Sequence, residues 1–563
     1  VSTNPEVLSL HTYFLFPISF DQDAVMDEHP EIWRGPQTWF EKLDHWVGSH
    51  VVPECQDAAT HLGGWRRHSE SSVDFGLPTY QDMMFFHPFV RRAFFDTGDA
   101  NHEQEALVHR YVLHPMPSTR LYYEAEDGGG ESAQVEVTEL RLLMFANGVG
   151  ILNLGVEAHN ISFAQALWIN EMMRKIYPSS AHQIETARIP KRMALVQAIG
   201  DERRLIAEEK WDMGRGVGHR PQLSALLLKL LHFANYAHGE YEAVLDERMI
   251  VNSFVNLDRS RTPAGYESSE DYEMAFSRLL YVDRDGPGYR YDAGFLREEM
   301  KKHVYRRWQH EGTLYGMTSY SNVTSILSLP GTGTNSEHGS NSEHVVHRMF
   351  RTKNLLLAAI ALFYRASLLG FAEESALVSR QLFPVFSGGV VRHRHIQFAT
   401  RLMADFHYFN TYWFHLEPTT KDEELEHFRL LSEAYQLATT KKTIENQIGS
   451  LAGFIDRLFA LRNNDAVNRL AMMSVLLGIG ALVTGYFGQN IPHLEDLMKN
   501  AGISFWTLIL TSLMAVASLW FVVYIITSNW MDYRASILPH RYRRPLTPKT
   551  LRQLRRSGNG EGP

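Results

Sequence analysis

The sequence predicts an α/β domain followed by a long helix and two C-terminal membrane-spanning helices, and three observations carry that expectation. Two apolar runs lie near the C-terminus, Val467 to Phe487 and Phe505 to Thr527. Ahead of them Ile444, Ile448, Leu451, Ile455 and Leu458 recur at alternating helical steps. Further upstream, segments with strand patterning alternate with segments of helical patterning.

Each apolar run has roughly 20 residues, which at about 1.5 Å per residue matches a hydrocarbon core of about 30 Å. Two membrane helices are therefore expected. Asn468 and Arg469 place headgroup-level polarity at the inner end of the first. The connecting segment, 488–504, holds Glu495 and Asp496 against the single base Lys499, whereas Arg534, Arg541, Arg543, Arg544, Lys549, Arg552, Arg555 and Arg556 crowd the tail. By the positive-inside rule both ends are cytoplasmic and one short loop faces outward. Trp506, Trp520, Trp530 and Tyr533 lie on or beside the second run, and those near its ends suit the interfacial belt.

Averages hide these spans. The chain has 563 residues and a net charge of -9, with a mean hydropathy of -0.25. That charge argues against nucleic acid as a partner, and the basic tail reads as an anchor to anionic lipid of the bilayer. The single cysteine, Cys55, excludes an intrachain disulfide and fits a reducing compartment for the bulk of the chain. The N-terminal stretch lacks a signal-peptide pattern, so insertion is expected to rest on the C-terminal pair.

The spacing Ile444 to Leu458 is a heptad seam. With no proline between Pro418 and Pro492, one helix is expected from about Glu423 to Phe487, the alternative being shorter helices with a break near Thr439-Thr440. Similar spacing continues into the membrane as Asn464, Val467, Ala471, Ser474, Gly478, Ala481 and Gly485. Small residues on one face of a membrane helix serve close packing or line a narrow pore, and both uses remain open for this stripe. Two helices per chain cannot enclose a pore, so conduction would require oligomers.

A long cytoplasmic helix running into a first membrane helix that ends in Gly488-Gln489-Asn490, a short acidic loop, a second membrane helix and a basic tail together resemble the CorA family of divalent-cation channels and transporters. The resemblance covers roughly Glu423 to Tyr533. It implies a homopentamer with a funnel-shaped cytoplasmic domain, set in a bacterial inner membrane, whose first membrane helix lines the pore. The family usually carries Gly-Met-Asn at the outer mouth; here Gln489 replaces the methionine, which leaves the ion open. A zinc-transporting branch also varies that position.

The resemblance implies roles for particular residues. Five copies of Asn490 would form a ring of carbonyl oxygens that reads the water shell of a hydrated cation, while Gly488 lets the helix end turn. Asn464 matches the polar ring at the inner entrance, and Val467 and Leu470 match the apolar constriction above it, which gates by dewetting or, on the alternative reading, simply packs. Glu495 and Asp496 gather cations by charge or are plain loop residues, with His493 beside them.

The N-terminal part reads as a mixed sheet flanked by helices. Leu140 to Phe145 and Val149 to Val156 form a hairpin whose Asn147-Gly148 favours a type I′ turn. Strands are expected at Leu10 to Phe16, Ala106 to Leu113, Met249 to Leu257 and Thr313 to Tyr320, and helices at Ser162 to Tyr177, Gln222 to His238 and Asp271 to Tyr281. The segment Leu355 to Ala372 is apolar enough to resemble a membrane span, but Arg365 interrupts it and a buried cytoplasmic helix is preferred. The loop from Gly331 to Ser342 is read as a flexible linker before a helix start, although Glu343 or His344 with His347 would share a helix face suited to metal. Arg392 to His395 and the aromatic run Phe406 to Phe414 are read as packing.

The expected organisation is an enlarged α/β domain at 1–345, a helical region at 346–422, a stalk helix at 423–466, a pore-lining span at 467–487, the outer loop at 488–504, a second span at 505–528 and a basic tail at 529–563. No nucleotide loop, zinc-finger spacing or catalytic triad pattern appears, so no enzyme and no bound cofactor are expected. The cargo is a divalent cation, magnesium first and then zinc, cobalt or nickel, with the cytoplasmic domain as regulator. A second reading is an effector whose enlarged domain binds a ligand and then opens such a pore; a third is a non-conducting relative.

Overall fold

The computed structural model describes residues 5–33, 38–49, 64–68, 82–96, 107–113, 119–178, 188–211, 222–245, 247–284, 291–330, 345–386 and 393–488, with isolated positions at 180–186 and 506–524. Two compact units emerge. The first comprises Val1–Leu377 and Ala404–Glu445, the second Val378–Met403 and Asn446–Pro563.

The first unit is built on one mixed sheet. Its strands are β1 (Val7–Phe20), β2 (Trp65–Arg67), β3 (Val108–Leu113), β4 (Thr119–Glu126), β5 (Ser132–Phe145), β6 (Val149–Ile161), β7 (Arg192–Ile199), β8 (Glu202–Lys210), β9 (Tyr241–Ala243), β10 (Ile250–Asp258), β11 (Val304–Tyr305), β12 (Leu314–Met317) and β13 (Ser321–Ser328). The main order is β11-β12-β13-β10-β1-β6-β5-β4-β7-β8, with β3 extending β5 beside β4, β2 on β3, and β9 on β1. Among the described strand pairs only β10 and β13 run parallel. Their connection holds the helices Glu270–Tyr281 and Ala293–His303, as a parallel crossover requires.

The strands expected near Leu10, Ala106, Met249 and Thr313 are all present, and so is the hairpin. Its turn differs from the expectation. A type I′ turn needs two left-handed central residues, but only Gly148 is left-handed (φ 86°). The loop is Ala146-Asn147-Gly148, closed by the Gly148 N–H donating to the Phe145 carbonyl at 3.0 Å. Asn147 instead spends its side chain outward, donating from Nδ2 to Ser367 Oγ at 2.9 Å. The expected helix from Gln222 shortens to Ala225–Leu230 followed by turns.

β1 is buried along almost all of its length. Alternate residues Leu10, Phe14, Phe16, Ile18 and Phe20 enter a core shared with the helix Phe163–Met172, which Ser162 caps. Here Thr12 Oγ1 donates to Asn170 Oδ1 at 2.8 Å and Asn170 Nδ2 donates to Ser253 Oγ at 3.1 Å, so these three buried side chains satisfy one another. On the other side, Tyr13 lies over the glycine opposite it on β6: a Cβ on Gly155 would meet the Tyr13 ring at 2.8 Å.

A helical stretch covers that second face: Val345–Met349, a π turn at Phe350–Asn354, then Leu355–Phe386. Phe363 stacks on Phe145 at 4.0 Å, and Tyr13 stacks on Phe350 at 5.5 Å. Val345–Leu382 is long and apolar enough to cross a membrane (mean hydropathy 1.9), yet 72% of its apolar window is buried within the protein. This is the buried helix expected from the interrupting arginine. Arg365 donates to the Ser319 carbonyl and lies 4.8 Å over the Tyr435 ring.

The single helix expected from Glu423 is two. Asp422–Ala434 ends at Tyr435, Gln436 takes a left-handed conformation (φ 53°), and Leu437–Gly488 continues for 52 residues. A left-handed non-glycine residue costs about 1–2 kcal/mol. Burial on either side, at Tyr435 and Leu437, holds the break in place. The break falls three residues before the Thr439-Thr440 pair singled out in the sequence. In the second unit Val378, Leu382, Ala399, Leu402, Ile448, Leu451 and Ile455 are buried.

One charged pair is enclosed beside this junction. Lys353 in the π turn contacts Glu424 of Asp422–Ala434, both nearly inaccessible, with Lys353 Nζ 3.9 Å over the Phe85 ring. His427 sits one turn further on, against the rings of Tyr305 and Tyr315, and its burial and the Lys353 charge push its pKa down to about 3. Breaking an enclosed pair strands a charge, so Lys353→Met should lower unfolding stability by about 3–5 kcal/mol in denaturant titrations, and the double variant Lys353→Met/Glu424→Met should recover most of it. Equal loss in single and double variants would contradict a paired state. His427 binds its proton more weakly folded than unfolded, so its contribution to stability is complete above the ordinary histidine pKa and is lost as pH falls from about 6.5 toward 3. His427→Gln should flatten the decline in thermal midpoint between pH 6.5 and 4.5; an unchanged slope would exclude His427 as its source.

Candidate functional site

The helix Leu437–Gly488 carries the sequence's small-residue stripe. Heptad-like steps at about 100° per residue keep Asn464, Val467, Ala471, Ser474, Gly478, Ala481 and Gly485 within an arc of about 100°. Leu470 flanks the arc. All eight are exposed in the single chain. Val467 is 65% and Leu470 59% exposed. A Cβ placed on Gly478 or Gly485 meets nothing within 4 Å. Ser474 turns its hydroxyl back to the Leu470 carbonyl at 3.0 Å, satisfying it locally as a serine must in an apolar helix.

Among the described residues off the stripe, Met472, Val475 and Leu477 are more than half exposed, while Met473 is half-buried. The stretch from Val467 to the helix end is about 30 Å long. Exposed apolar side chains along a helix of this length are not stable in water and fit hydrocarbon and neighbouring helices. The heptad residues Ile444, Ile448, Leu451 and Ile455 behave oppositely and are buried within the chain. The change falls between Ile455 and Asn464.

Of the outer-mouth residues, Gly488 ends the helix. Gln489, Asn490, His493, Glu495 and Asp496 lie outside the described residues, as do the tail and the loop Gly331–Ser342. Described positions of the second apolar run, Trp506, Ile509, Leu513, Val516, Trp520, Val523 and Tyr524, are helical and exposed. Trp520 and Tyr524 stack at 5.7 Å.

Sequence reasoning missed one grouping. Among the described residues, the three metal-competent side chains brought together are His11, Glu157 and His347. Only His347 had been singled out, paired with Glu343 or His344, which lie outside the described residues. His11 and Glu157 are 146 positions apart and meet because they are register partners on β1 and β6. No local spacing signals such a pair.

A family model described as CorA-like Mg2+ transporter protein matches residues 395–525. The match takes in the helices described here as His393–Tyr408, Asp422–Ala434 and Leu437–Gly488 and the second apolar run. It supports the CorA-like family, whose members are membrane transporters of divalent cations. The sheet domain lies outside it. No curated protein and no solved structure matches the chain.

The bare helix has a direct consequence. The full chain should remain with the membrane fraction through an alkaline carbonate wash, which strips peripheral proteins, and should need detergent for release; recovery in the aqueous supernatant would contradict a bilayer environment for the helix after Asn464.

Proposed function

We propose that the chain is one subunit of a homopentameric divalent-cation channel or transporter of a bacterial inner membrane, with both ends cytoplasmic. Spans at 467–487 and 505–528 cross the bilayer, and the first lines the pore. The observation that carries this reading is the coincidence of the CorA-like match with a helix whose small-residue stripe stays uncovered in the single chain for about 30 Å. Copies of the chain arranged around an axis would turn that stripe inward.

In this arrangement Asn490, at the end of Gly488-Gln489-Asn490, hydrogen-bonds the water shell of the entering cation. Asn464 offers a polar ring at the inner end, and Val467 and Leu470 form the apolar constriction that opens by wetting. Ala471, Ser474, Gly478, Ala481 and Gly485 leave room for a hydrated ion between them. Glu495 and Asp496 raise the local cation concentration outside. Magnesium is the leading cargo because it sheds its waters reluctantly and suits a filter that reads the shell, with zinc, cobalt and nickel next. The sheet domain regulates opening.

Uptake of magnesium, zinc, cobalt and nickel into proteoliposomes tests this proposal. Flux of at least one ion that falls by tenfold or more in Asn490→Ala is the expected result. A second reading rests on the size of the sheet domain outside the family match: an effector whose pore opens only when that domain binds a ligand. Flux that requires added cytosolic extract would favour the second reading, and no flux under either condition would overturn both.

A further inference from the structure

His11 and Glu157 face each other on neighbouring central strands, with His347 set above them from the covering helix. His11 Nδ1 lies 2.9 Å from Glu157 Oε1 and 2.9 Å from His347 Nε2. All three candidate ligand atoms fall within 4.8 Å of one another. Phe254, the partner of His11 on β10, packs on the His347 ring at 4.6 Å, and Phe350 packs edge-on to His11 at 5.7 Å. The group is thus walled by aromatic rings, and His11 is 1% exposed.

Hydrogen bonding alone does not satisfy this geometry. A ring nitrogen has one in-plane position, occupied by either a proton or a lone pair. If His11 Nδ1 donates to Glu157, it has no lone pair left for His347, and if it serves His347 it offers no proton to the carboxylate or must share one. The other ring nitrogen, His11 Nε2, is buried without a hydrogen-bond partner among the described residues, so the polar contacts of this ring converge on Nδ1. A cation between the three atoms resolves the conflict, because it takes a lone pair from each. Two nitrogen or oxygen ligands about 2.1 Å from a metal stand about 3.4 Å apart at the tetrahedral angle and about 3 Å apart at a right angle, so a small widening of the 2.9 Å contacts at His11 lets all three atoms reach one ion.

We propose that His11, Glu157 and His347 form a binding site for a divalent transition-metal cation, zinc by the chemistry of its ligands, which fastens the start of the covering helix to the sheet. Two imidazoles and one carboxylate suit zinc, cobalt or nickel and do not suit magnesium, which takes oxygen in an octahedral shell. The site is separate from the pore residues and does not depend on which ion the pore carries.

Cobalt titration of the full-length protein in detergent reads the site directly, since cobalt bound to nitrogen ligands absorbs in the visible and zinc displaces it. The expected result is about one cobalt per chain, displaced by zinc and unaffected by a large excess of magnesium. His347→Ala, at the half-buried member, and Glu157→Gln should each weaken binding by tenfold or more, while His310→Ala, an exposed histidine elsewhere on the same unit, should bind as the parent does. Loss of sedimentation or thermal behaviour in the variants would be checked against Glu157→Asp, which keeps the carboxylate and should restore part of the signal. No cobalt spectrum in the parent, an identical spectrum in His347→Ala, or displacement by magnesium would each overturn the assignment.

Discussion

β1 has no solvent side, and most of the first unit follows from that. Residues pointing one way from it join the core with Phe163–Met172, and residues pointing the other way, among them Tyr13, need a second cover. The cover is a helix almost as apolar as a membrane span, preceded by a helical turn whose His347 meets His11 and Glu157 on the sheet. Leu355–Phe386 is that helix. Arg365 within it is taken up by the Ser319 carbonyl and the Tyr435 ring, and Lys353, in the π turn just ahead of it, by Glu424 and the Phe85 ring.

Much of this was legible because local pattern and long-range packing agreed. The strands around Leu10, Ala106, Met249 and Thr313 alternate or run apolar between turn residues, and the hairpin announced itself through Asn147-Gly148. The turn type did not follow from that pair, since the strands close over three residues and Gly148 alone must be left-handed. Arg365 correctly marked its helix as a domain element. Gln436 escaped notice because nothing in its own side chain asks for a left-handed backbone; the buried neighbours Tyr435 and Leu437 impose it. The strand at Ser321–Ser328 was missed, since serine, asparagine and threonine weaken its apolar pattern.

The candidate pore helix was readable for a different reason. Its seam residues before Ile455 and its stripe after Asn464 share one spacing but opposite chemistry, large against small. In the structure the large set is buried and the small set is bare. The His11, Glu157 and His347 group could not have been read this way, because strand register and helix docking, rather than spacing, bring its members together.

The order of synthesis gives the covering helix a choice of surroundings. Every described strand precedes it in the chain, so the second face of the sheet is still naked as Leu355–Phe386 leaves the ribosome. A segment of this apolarity is also a substrate for the machinery that inserts helices into bilayers. Docking on the sheet has to win that competition. Arginine costs about 2.5–3.5 kcal/mol at the centre of an inserted helix, whereas Arg365 meets a carbonyl and an aromatic face in the folded domain. The arginine that looks like a flaw in an apolar helix thus weighs toward protein rather than lipid.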